Sequence, residues 1–533
     1  MKRFTKIGVA IMGLAMGTFI SCENNVAVDE EIPGSKVEFT APEGTLAESI
    51  EDGAILHCFC WSFNTIKANM KNIADAGFSA IQTSPVSKCR AGTDNNLTRP
   101  GTLGWGTDAW YFHYQPTEYV VGNYQLGTEA EFKAMCKEAH KYGVKVIVDA
   151  VMNHCTMEYN FISNNIKKLA SNPQQTLFHD MTYGMDLRDR YTSTQCHMNG
   201  LREWNTKNKT VQDYHLKFLK QCVEDGADGF RYDAARCIEL PDDDKYSNLN
   251  GFQSDFWPTI LNNGSVFQYG ECLQEGGNIV YNGSMEGGFD DSRDARLGAY
   301  QSQIFTTNGT KHNFFTTSSF YGWRLRERIV SRNLDVNYLK DFLLPSGASS
   351  QRVVTWVESH DNYCNDHTYT KLDEEDVILA YAILAGRKDG TPLFFDRPYG
   401  SYKGKHNHVE GDDGHEDRGA AFGTNKIGIA GSDMYKDKRV VAVNFFRNKM
   451  KDASETLLNP KNEKTLLMIT RGDGGILIVN VSDTKWNITK ADCPSSIKSG
   501  TYTDVLSGRK FTVDSNKITG TIDKRSVAVI YTK

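Results

Sequence analysis

Apolar and polar residues alternate along the first third of the chain in blocks of two different periods. Continuous apolar runs at residues 54–59, 78–83 and 144–149 predict buried β-strands. Between them, residues 66–76 and 129–142 repeat their apolar positions with the period of a helix, which predicts amphipathic helices. Strands that alternate with helices in this way form a parallel sheet covered by helices.

More short apolar runs follow, at residues 229–232, 267–270, 353–357 and 392–395. Spread over so long a stretch, these strands fit an α/β fold of the (β/α)8 TIM barrel type, in which each parallel strand is followed by a helix. A doubly wound open sheet is the alternative. It is disfavoured because no glycine-rich phosphate loop follows the first predicted strand.

The strand and helix pattern is interrupted twice. Residues 154–205 are polar and rich in Asn and Thr over a length too great for a simple loop, so we predict a small excursion domain (domain B) after the third barrel strand. From residue 457, short alternating runs separated by Gly-Asp and Ser-Gly turns predict a C-terminal antiparallel β-sandwich over residues 457–533. The predicted barrel therefore comprises residues 37–153 and 206–456.

The N-terminus has the pattern of an export signal. Lys2, Arg3 and Lys6 precede an apolar run, residues 7–20, that is too short to cross a bilayer comfortably. The run ends beside Cys22 in a segment similar to the cleavage site of bacterial lipoproteins, where the cysteine is lipidated. We predict a lipoprotein signal over residues 1–22, an acidic tether over residues 23–36, and export to a membrane anchor. Display on the outer-membrane surface is a hypothesis, and ordinary secretion is the alternative.

Composition disfavours nucleic acid as a partner. The 533 residues carry a formal net charge of -6, without the runs of Lys, Arg and aromatic residues that a phosphate backbone requires. The 8 Trp and 24 Tyr offer flat apolar faces on which sugars can stack, although protein cores use the same residues. Of the 12 Cys, those beyond Cys22 form no metal-binding Cys-x-x-Cys pair, and we interpret them as buried free thiols. We expect a monomer.

Polar residues close several of the predicted strands. In a (β/α)8 barrel the reacting groups stand at the C-terminal ends of strands, so these endings are candidate site residues. They occur in Asp149-Ala150-Val151-Met152-Asn153-His154, Gly229-Phe230-Arg231-Tyr232-Asp233-Ala234, Tyr269-Gly270-Glu271 and Trp356-Val357-Glu358-Ser359-His360-Asp361. Any one of them alone has a simpler interpretation, since a strand-end Asp or Asn often caps the next helix.

Taken together and in this order, the four segments resemble the signature segments of the α-amylase family of glycoside hydrolases. The resemblance runs from about residue 37 to residue 533 and is closest to secreted bacterial members related to the animal enzymes. Further similar segments are Asn123-Tyr124-Gln125-Leu126-Gly127-Thr128, Glu203-Trp204-Asn205-Thr206, Ile238-Glu239-Leu240-Pro241-Asp242-Asp243 and Arg525-Ser526-Val527-Ala528-Val529. The resemblance implies retaining endo-hydrolysis of α-1,4-glucosidic bonds in starch, glycogen-like glucans and maltooligosaccharides.

The resemblance also implies roles for three acids. Asp233 would be the nucleophile, Glu271 the acid/base, and Asp361 a carboxylate that binds hydroxyls of the distorted sugar. Retention needs the first two about 5 Å apart. Arg231, two residues before Asp233, faces the same side of its strand and can hold that carboxylate in its charged form. Glu271 needs a raised pKa, which negative neighbours would support. Asp149 is expected to be structural, as a partner of Arg231.

Several further side chains are predicted to contact substrate. Two aromatic residues would stack on glucose rings, with packing at the barrel rim as the alternative, and two histidines would donate hydrogen bonds to sugar hydroxyls. The full set is Trp110, Tyr114, Gln115, His154, Arg231, Arg236 and His360.

Family members usually hold a structural Ca²⁺ between barrel and domain B. Asn153 stands at the position of one ligand, but Gln195 stands where the animal-type pattern has an Asp, and a neutral amide attracts Ca²⁺ less than a carboxylate. The calcium site is therefore weak, rebuilt around Asp186 or Asp189, or absent. Cys237 replaces a His that contributes only its backbone carbonyl. No cofactor is expected in the chemistry, and no chloride site, because residues 362–364 supply no basic partner.

Two other functions stay open. A transglycosylase or an exo-acting maltogenic enzyme of the same family would use the same carboxylates. A non-catalytic starch-binding surface lipoprotein would suit the lipid anchor and the aromatic residues. Binding alone, however, has no need of a nucleophile, an acid and a third carboxylate.

Overall fold

The computed structural model describes residues 44–99, 101, 103, 109–180, 184–185, 187, 190–243, 253–274, 296–401 and 426–533. The predicted signal, the tether and Cys22 lie outside the described residues. So do Asp186 and Asp189.

The strands before the C-terminal domain share one architecture, a closed barrel with two small additions. They are β1 (Ile55–Cys58), β2 (Ala80–Thr83), β3 (Ser87–Cys89), β4 (Pro116–Asn123), β5 (Gly127–Thr128), β6 (Lys145–Ala150), β7 (Gly229–Tyr232), β8 (Phe267–Gly270), β9 (Ile304–Thr307), β10 (Thr310–Asn313), β11 (Phe315–Thr317), β12 (Val353–Trp356) and β13 (Thr391–Phe395). Within the described residues, eight of them pair in parallel in the closed order β1-β13-β12-β11-β8-β7-β6-β2. The predicted (β/α)8 barrel is confirmed.

Helices lie between the barrel strands. They are α1 (Phe63–Asp75), α2 (Glu129–Lys141), α3 (Asn164–Lys167), α4 (Pro173–Thr176), α5 (Arg190–Gln195), α6 (Lys209–Glu224), α7 (Phe256–Ile260), α8 (Leu297–Gln301), α9 (Ser319–Val330), α10 (Val336–Leu339), α11 (His360–Cys364), α12 (Glu374–Gly386) and α13 (Lys438–Lys449). The start of α2 is fixed by a capping box, in which the hydroxyl of Thr128 accepts from the backbone of Glu131 and the Glu131 carboxylate accepts from the backbone of Thr128. The helix predicted from the amphipathic pattern of residues 129–142 thus corresponds to α2.

The register of the barrel decides which strand residues can meet. Asp149 on β6 is level with Arg231 on β7, and Arg231 is level with Tyr269 on β8. Neighbouring strands in a sheet lie about 4.8 Å apart, so side chains at one level that point the same way are within reach of each other. We call the layer of Asp149, Arg231 and Tyr269 the floor of the barrel's C-terminal end.

Domain B is built from short pieces after β6. It contains α3, α4 and α5, and isolated bridges pair His154 with Glu203 and Phe178 with Trp204, so that the start and the end of the domain lie side by side. A three-stranded antiparallel sheet, β3-β4-β5, precedes α2 and was not predicted.

The C-terminal domain is a sandwich of antiparallel sheets, as predicted. Its strands are β14 (Glu455–Leu458), β15 (Leu466–Arg471), β16 (Gly475–Asn480), β17 (Trp486–Asp492), β18 (Gly500–Thr503), β19 (Lys510–Asp514), β20 (Lys517–Ile522) and β21 (Ser526–Tyr531). One sheet has the order β14-β15-β16-β21 and the other β17-β20-β19-β18. Both faces of the first sheet are buried, one against the second sheet and the other against the barrel.

The described cysteines are all buried, and none of them forms a disulfide. In the same part of the chain, no helix combines the length and the apolar composition needed to cross a membrane.

Candidate active site

A cavity of about 320 Å³ opens where the barrel strands end. It gathers side chains that are far apart in the sequence and that were proposed as site residues from the sequence: Trp110, Tyr114, His154, Asp233, Arg236, Glu271, His360 and Asp361. On the side of domain B, Leu187, Met198, Asn199 and Leu201 complete its wall.

Three acids reach this cavity from three places in the fold. Asp233 follows β7 directly, and Ala234 after it has a left-handed backbone with φ of 47°, so the chain turns sharply away. Glu271 follows β8 in the same way. Asp361 lies in the first turn of α11, whose N-cap residue accepts a backbone hydrogen bond and fixes the start of that helix.

Arg231 joins two of these acids under the cavity floor. Its Nη1 lies 2.7 Å from Asp233 Oδ1 and 2.8 Å from Asp149 Oδ1, and its Nη2 lies 2.5 Å from Glu271 Oε1. Arg231 itself is only 4% exposed. Asp233 and Glu271 therefore bind different nitrogens of one planar guanidinium group, which holds both carboxyl groups at the same end of the Arg231 side chain.

Glu271 has a raised pKa. Burial is the largest cause, the positive charge of Arg231 opposes it, and the negative charge of Asp233 adds to it. Sequence reasoning assigned the shift to negative neighbours, which is the smaller cause. The other carboxyl oxygen, Oε2, accepts a hydrogen bond from the backbone N–H of Ala234 at 3.0 Å. Glu271 therefore retains its proton to a higher pH than an ordinary glutamate does.

Asp361 lines the same cavity from the start of α11. Its Oδ1 lies 3.5 Å from His360 Nε2 and accepts a hydrogen bond from Asn365 at 3.3 Å. Its pKa is raised, first by burial and then by the negative charge of Glu271. The influence of Glu271 on the pKa of Asp361 places the two acids close together at this cavity.

An aromatic wall lines the cavity beside the acids. The rings of Tyr114 and His360 are stacked at 5.1 Å with an interplanar angle of 6°, and Trp110 meets both edge-on. The Tyr114 hydroxyl donates to Asp149 Oδ2 at 2.9 Å, so the ring is tied to the floor level of the barrel. Stacking between these rings gives the wall a fixed shape.

Both histidines at the cavity are neutral near pH 7. Burial lowers the pKa of His154 to about 4, and it also lowers the pKa of His360 well below its usual range. His154 Nε2 lies 3.1 Å from the backbone oxygen of Tyr114 and 3.9 Å from Asp233 Oδ2. Neutral imidazoles can donate one hydrogen bond each without adding charge to the site.

Comparison of the sequence with known proteins shows to which family the chain belongs. The model of the α-amylase catalytic domain matches residues 62–268. An α-amylase of Butyrivibrio fibrisolvens is 39% identical over 516 residues, covering 91% of this chain and 48% of that protein. The chain belongs to the α-amylase family. An α-amylase of Clostridium acetobutylicum is 32% identical over 503 residues, covering 93% of this chain and 56% of that protein. The chain thus spans about half the length of these curated relatives.

Among solved structures, the barrel and sandwich resemble α-amylase I of Eisenia fetida, determined as a mutant in complex with maltohexaose. The TM-score is 0.64 at 18% sequence identity, over 92% of this chain and 99% of that one. At this identity the likeness supports the α-amylase fold alone.

Two residues predicted to contact substrate are placed behind the cavity wall. The side-chain oxygen of Gln115 accepts hydrogen bonds from Arg90 at 3.2 Å and from Thr156 at 3.4 Å. Arg231 makes its contacts with carboxylates below the floor. Arg236 does line the cavity, and its terminal nitrogens donate to the backbone oxygens of Leu273 and Leu187 at 2.5 Å each. It therefore joins the loop after β8 to domain B.

The calcium position implied by the α-amylase family contains two buried acids that sequence reasoning gave no role. Gln195 donates to Glu239 Oε1 at 2.6 Å, and Glu203 lies beside Asn153. Both acids occur in segments that carried the resemblance, but which atoms they face could not be read from the sequence. In the described part of the chain, no three His, Cys, Asp or Glu side chains gather at a spacing suited to a metal.

Proposed function

We propose that this chain hydrolyses internal α-1,4-glucosidic bonds of starch, glycogen-like glucans and maltooligosaccharides with retention of the α configuration. The observation that carries the proposal is the pairing of Asp233 and Glu271 on one guanidinium group at a cavity of sugar size. Such a pair separates the two functions that retention requires, a nucleophile and an acid.

The reaction proceeds in two steps. Asp233 attacks the anomeric carbon while Glu271 gives its proton to the leaving glycosidic oxygen, so the C–O bond breaks as the glycosyl–Asp233 bond forms. Water then attacks the same carbon, Glu271 takes its proton, and the Asp233 carboxylate leaves. The raised pKa of Glu271 supports the first proton transfer. After that transfer, Arg231 stabilises the negative charge on Glu271.

The other cavity residues orient the sugar. Asp361 accepts hydrogen bonds from sugar hydroxyls and stabilises the positive charge that develops in the transition state. The stacked rings of Tyr114 and His360 offer a face to the reacting glucose, and the largely buried Asp361 stands beside it. Trp110 and Arg236 extend the binding surface along the cleft.

The test uses the purified full chain with maltohexaose and soluble starch. We expect α-configured short products by proton NMR at early times, and a loss of at least about 10⁴-fold in kcat for Asp233→Asn, since the variant lacks the nucleophile. Asp213→Asn changes an exposed acid on α6 and is the matched control. Tight maltohexaose binding without turnover in the wild type would point instead to a starch-binding lipoprotein.

Product analysis separates endo-hydrolysis from the alternatives within the family. Endo-cleavage lowers the iodine stain of amylose faster than it releases reducing ends, whereas exo-cleavage releases a single small product from the start. Oligosaccharides longer than the maltohexaose supplied would indicate transglycosylation.

We also propose that the chain is exported and held at a membrane by a lipid on Cys22, with the outer-membrane surface as its site. The basic and apolar N-terminal pattern supports this. Cells grown with labelled palmitate should label the wild type but not Cys22→Ala, which should appear in the medium. An unlabelled wild type in the medium would indicate ordinary secretion. Light scattering of the lipid-free chain should give a monomer.

A further inference from the structure

Asp361 is held at the cavity differently from the two other acids. Both of those acids bind the guanidinium group of Arg231 directly. Within the described residues, the Asp361 carboxylate pairs with no arginine or lysine, and it accepts a hydrogen bond only from Asn365, four residues further along the same loop. The place of this carboxylate therefore depends on the backbone of the loop that carries it.

That loop, residues 358–372, lies between β12 and α12 and contains α11, and we call it the α11 loop. Its two ends meet at the side chain of Arg397, which follows β13. Arg397 Nε lies 2.9 Å from Glu358 Oε2, and its Nη2 lies 2.8 Å from Glu358 Oε1. The same Nη2 donates to the backbone oxygen of Leu372 at 3.0 Å. One guanidinium group thus holds both the first and the last residue of the α11 loop.

The middle of the α11 loop contacts the same two side chains. The Thr368 hydroxyl donates to Glu358 Oε1 at 2.6 Å. The guanidinium carbon of Arg397 lies 5.4 Å from the ring centroid of Tyr363, a buried residue of α11. That ring also packs against Phe395 of β13, at 5.4 Å between centroids. The α11 loop is therefore attached to the end of β13 at several points, with the ion pair at their centre.

The complete burial of this ion pair indicates a geometric role. Glu358 is 1% exposed and Arg397 is 0% exposed. Removing two charges from water offsets much of their attraction, and apolar residues of similar volume commonly stabilise such a place equally well. What the ion pair adds is direction, because a guanidinium group binds a carboxylate in one plane through two hydrogen bonds. The pair fixes how the α11 loop is oriented relative to β13.

We propose that Glu358 and Arg397 are positioning residues for Asp361, and that their ion pair sets the place of the Asp361 carboxylate in the cavity. This inference rests on the proposed function, in which Asp361 stabilises the transition state. Asp361 follows Glu358 by three residues, and the cap formed by Ser359 makes the intervening turn regular. A change at Glu358 is therefore passed on to Asp361, and a displacement of about 1 Å at such a group can lower the rate about a hundredfold.

The test uses a variant of the full chain that loses the pair without leaving an unpaired charge. Changing one partner alone would leave the other charge buried and would destabilise the fold. The double variant Glu358→Gln, Arg397→Met removes both charges and approximately keeps the volume, so we expect it to fold. With maltohexaose, kcat should fall by about 10- to 100-fold while KM stays within about threefold, because Asp361 acts mainly on the transition state.

A cycle with Asp361→Asn shows whether the pair acts through that carboxylate. Asp361 transfers no proton in the proposed mechanism, so Asp361→Asn should retain a slow, measurable rate. In this background the Glu358→Gln, Arg397→Met change should lower kcat by less than about threefold, since the group that it displaces is already neutral. The same loss of kcat in both backgrounds would show that the pair does not act through Asp361.

A second buried pair provides the matched control. Glu455 on β14 accepts two hydrogen bonds from Arg387, at 3.0 and 2.9 Å, where the sandwich meets the barrel. Glu455→Gln, Arg387→Met makes the same chemical change there, and it should alter the melting temperature without changing kcat. If the Glu358 and Arg397 double variant does not fold, Arg397→Lys keeps the charge but loses the planar two-bond contact, and it should show the same fall in kcat at nearly constant KM.

Hydrogen exchange tests the same inference without turnover. Amides of residues 359–372 should exchange faster in the Glu358→Gln, Arg397→Met variant than in the wild type, while those of β6, β7 and β8 should not change. A wild type without turnover would overturn the proposed function, whereas exchange would still report whether the pair fixes the α11 loop. Unchanged exchange, or an unchanged kcat in the folded double variant, would show that the pair does not position Asp361.

Discussion

At the scale of a single residue, the surroundings of Glu271 act on its pKa in two opposite directions. Burial and Asp233 raise its pKa, and the ion pair with Arg231 lowers it, with burial the largest of the three. Because Glu271 must be protonated to act as the acid, kcat/KM should fall as the pH rises through this raised pKa. A pH profile with maltohexaose checks this. The alkaline limb should lie above the ordinary Glu value, and a limb at or below it would contradict the assignment.

Tyr114 combines a ring that we propose stacks on the sugar with a hydroxyl that holds the ring in place. Tyr114→Phe removes only the 2.9 Å hydrogen bond to Asp149, so kcat/KM should fall by about 5- to 10-fold, as expected for one hydrogen bond of about 1 kcal/mol. Tyr114→Ala also removes the stacking surface, and the loss should reach about a hundredfold. Steady-state kinetics of both variants measure the two parts. Equal losses would mean that the ring makes no contact with substrate.

The positions of single residues at the cavity were predictable where the residues lie on one strand. Asp233 and Glu271 each end an apolar run, and Arg231 lies two positions before Asp233, so alternation alone puts the two on one side. The contact of Asn153 with Glu203 and with the backbone oxygen of Cys237 was not predictable in this way, because the three residues are far apart in the sequence and no local pattern records their meeting. Gln115 follows Tyr114 in sequence, yet it points away from the cavity.

At the scale of an element, α5 is held to the barrel by its first residue. Arg190 Nη2 lies 2.8 Å from Asp243 and donates to the backbone oxygen of Ile238 at 2.9 Å and to the Tyr300 hydroxyl at 3.0 Å. Asp243 is fully buried and keeps Arg296 as a second partner. Arg190→Met should therefore destabilise domain B by about 2 kcal/mol, less than the 3–5 kcal/mol typical of a fully broken buried pair.

Hydrogen exchange and limited proteolysis report this local loss. In Arg190→Met, amides of residues 190–201 should exchange faster while those of the barrel strands are unchanged. Lys209→Met is the control, because its pair with Asp213 on α6 is exposed and should contribute little. Uniformly faster exchange throughout the chain would show that α5 is not an independent unit.

The helices and strands that the sequence predicted correctly are the longer ones with a regular pattern of apolar residues. The long amphipathic helices α1 and α2 and the apolar strands β1, β2 and β6 were predicted because their periods are distinct. β11 was missed, since its three residues come directly after a hairpin, β9–β10, and carry too few positions to show a period. The sheet β3-β4-β5 was missed for a similar reason, because its pairing is irregular and depends on contacts across a long loop.

At the scale of the whole molecule, the barrel and the sandwich share a core. Alternate residues of β15 and β16, such as Met468 and Ile478, pack against the second sheet, while Leu467 and Leu477 pack with the barrel residues. The barrel side is provided by α12, which is buried from Asp376 to Gly386 and has no polar face of its own. A helix that is apolar all round needs cover on every side.

Gly386, the last residue of α12, tests this shared core. A Cβ at that position would lie 2.2 Å from Leu477 Cδ2, so the residue must be small where the helix meets β16. Gly→Ala inside a helix normally stabilises by about 1 kcal/mol, whereas overpacking a core costs about 1–3 kcal/mol. Leu477 is fully buried and has little room to move. We therefore expect Gly386→Ala to lower the free energy of unfolding by about 1 kcal/mol.

A double-mutant cycle with Leu477→Ala isolates the contact. In the Leu477→Ala background the clash is gone, so Gly386→Ala should become neutral or stabilising, and the coupling between the two changes should be about 1–2 kcal/mol. Calorimetry should show barrel and sandwich melting in one transition in every variant, because they share buried surface. Additive effects, together with two separate transitions, would mean that the sandwich is an independent domain resting on the barrel. The interpretation that the barrel and the sandwich share one core would then be wrong, even though the residues between them are buried.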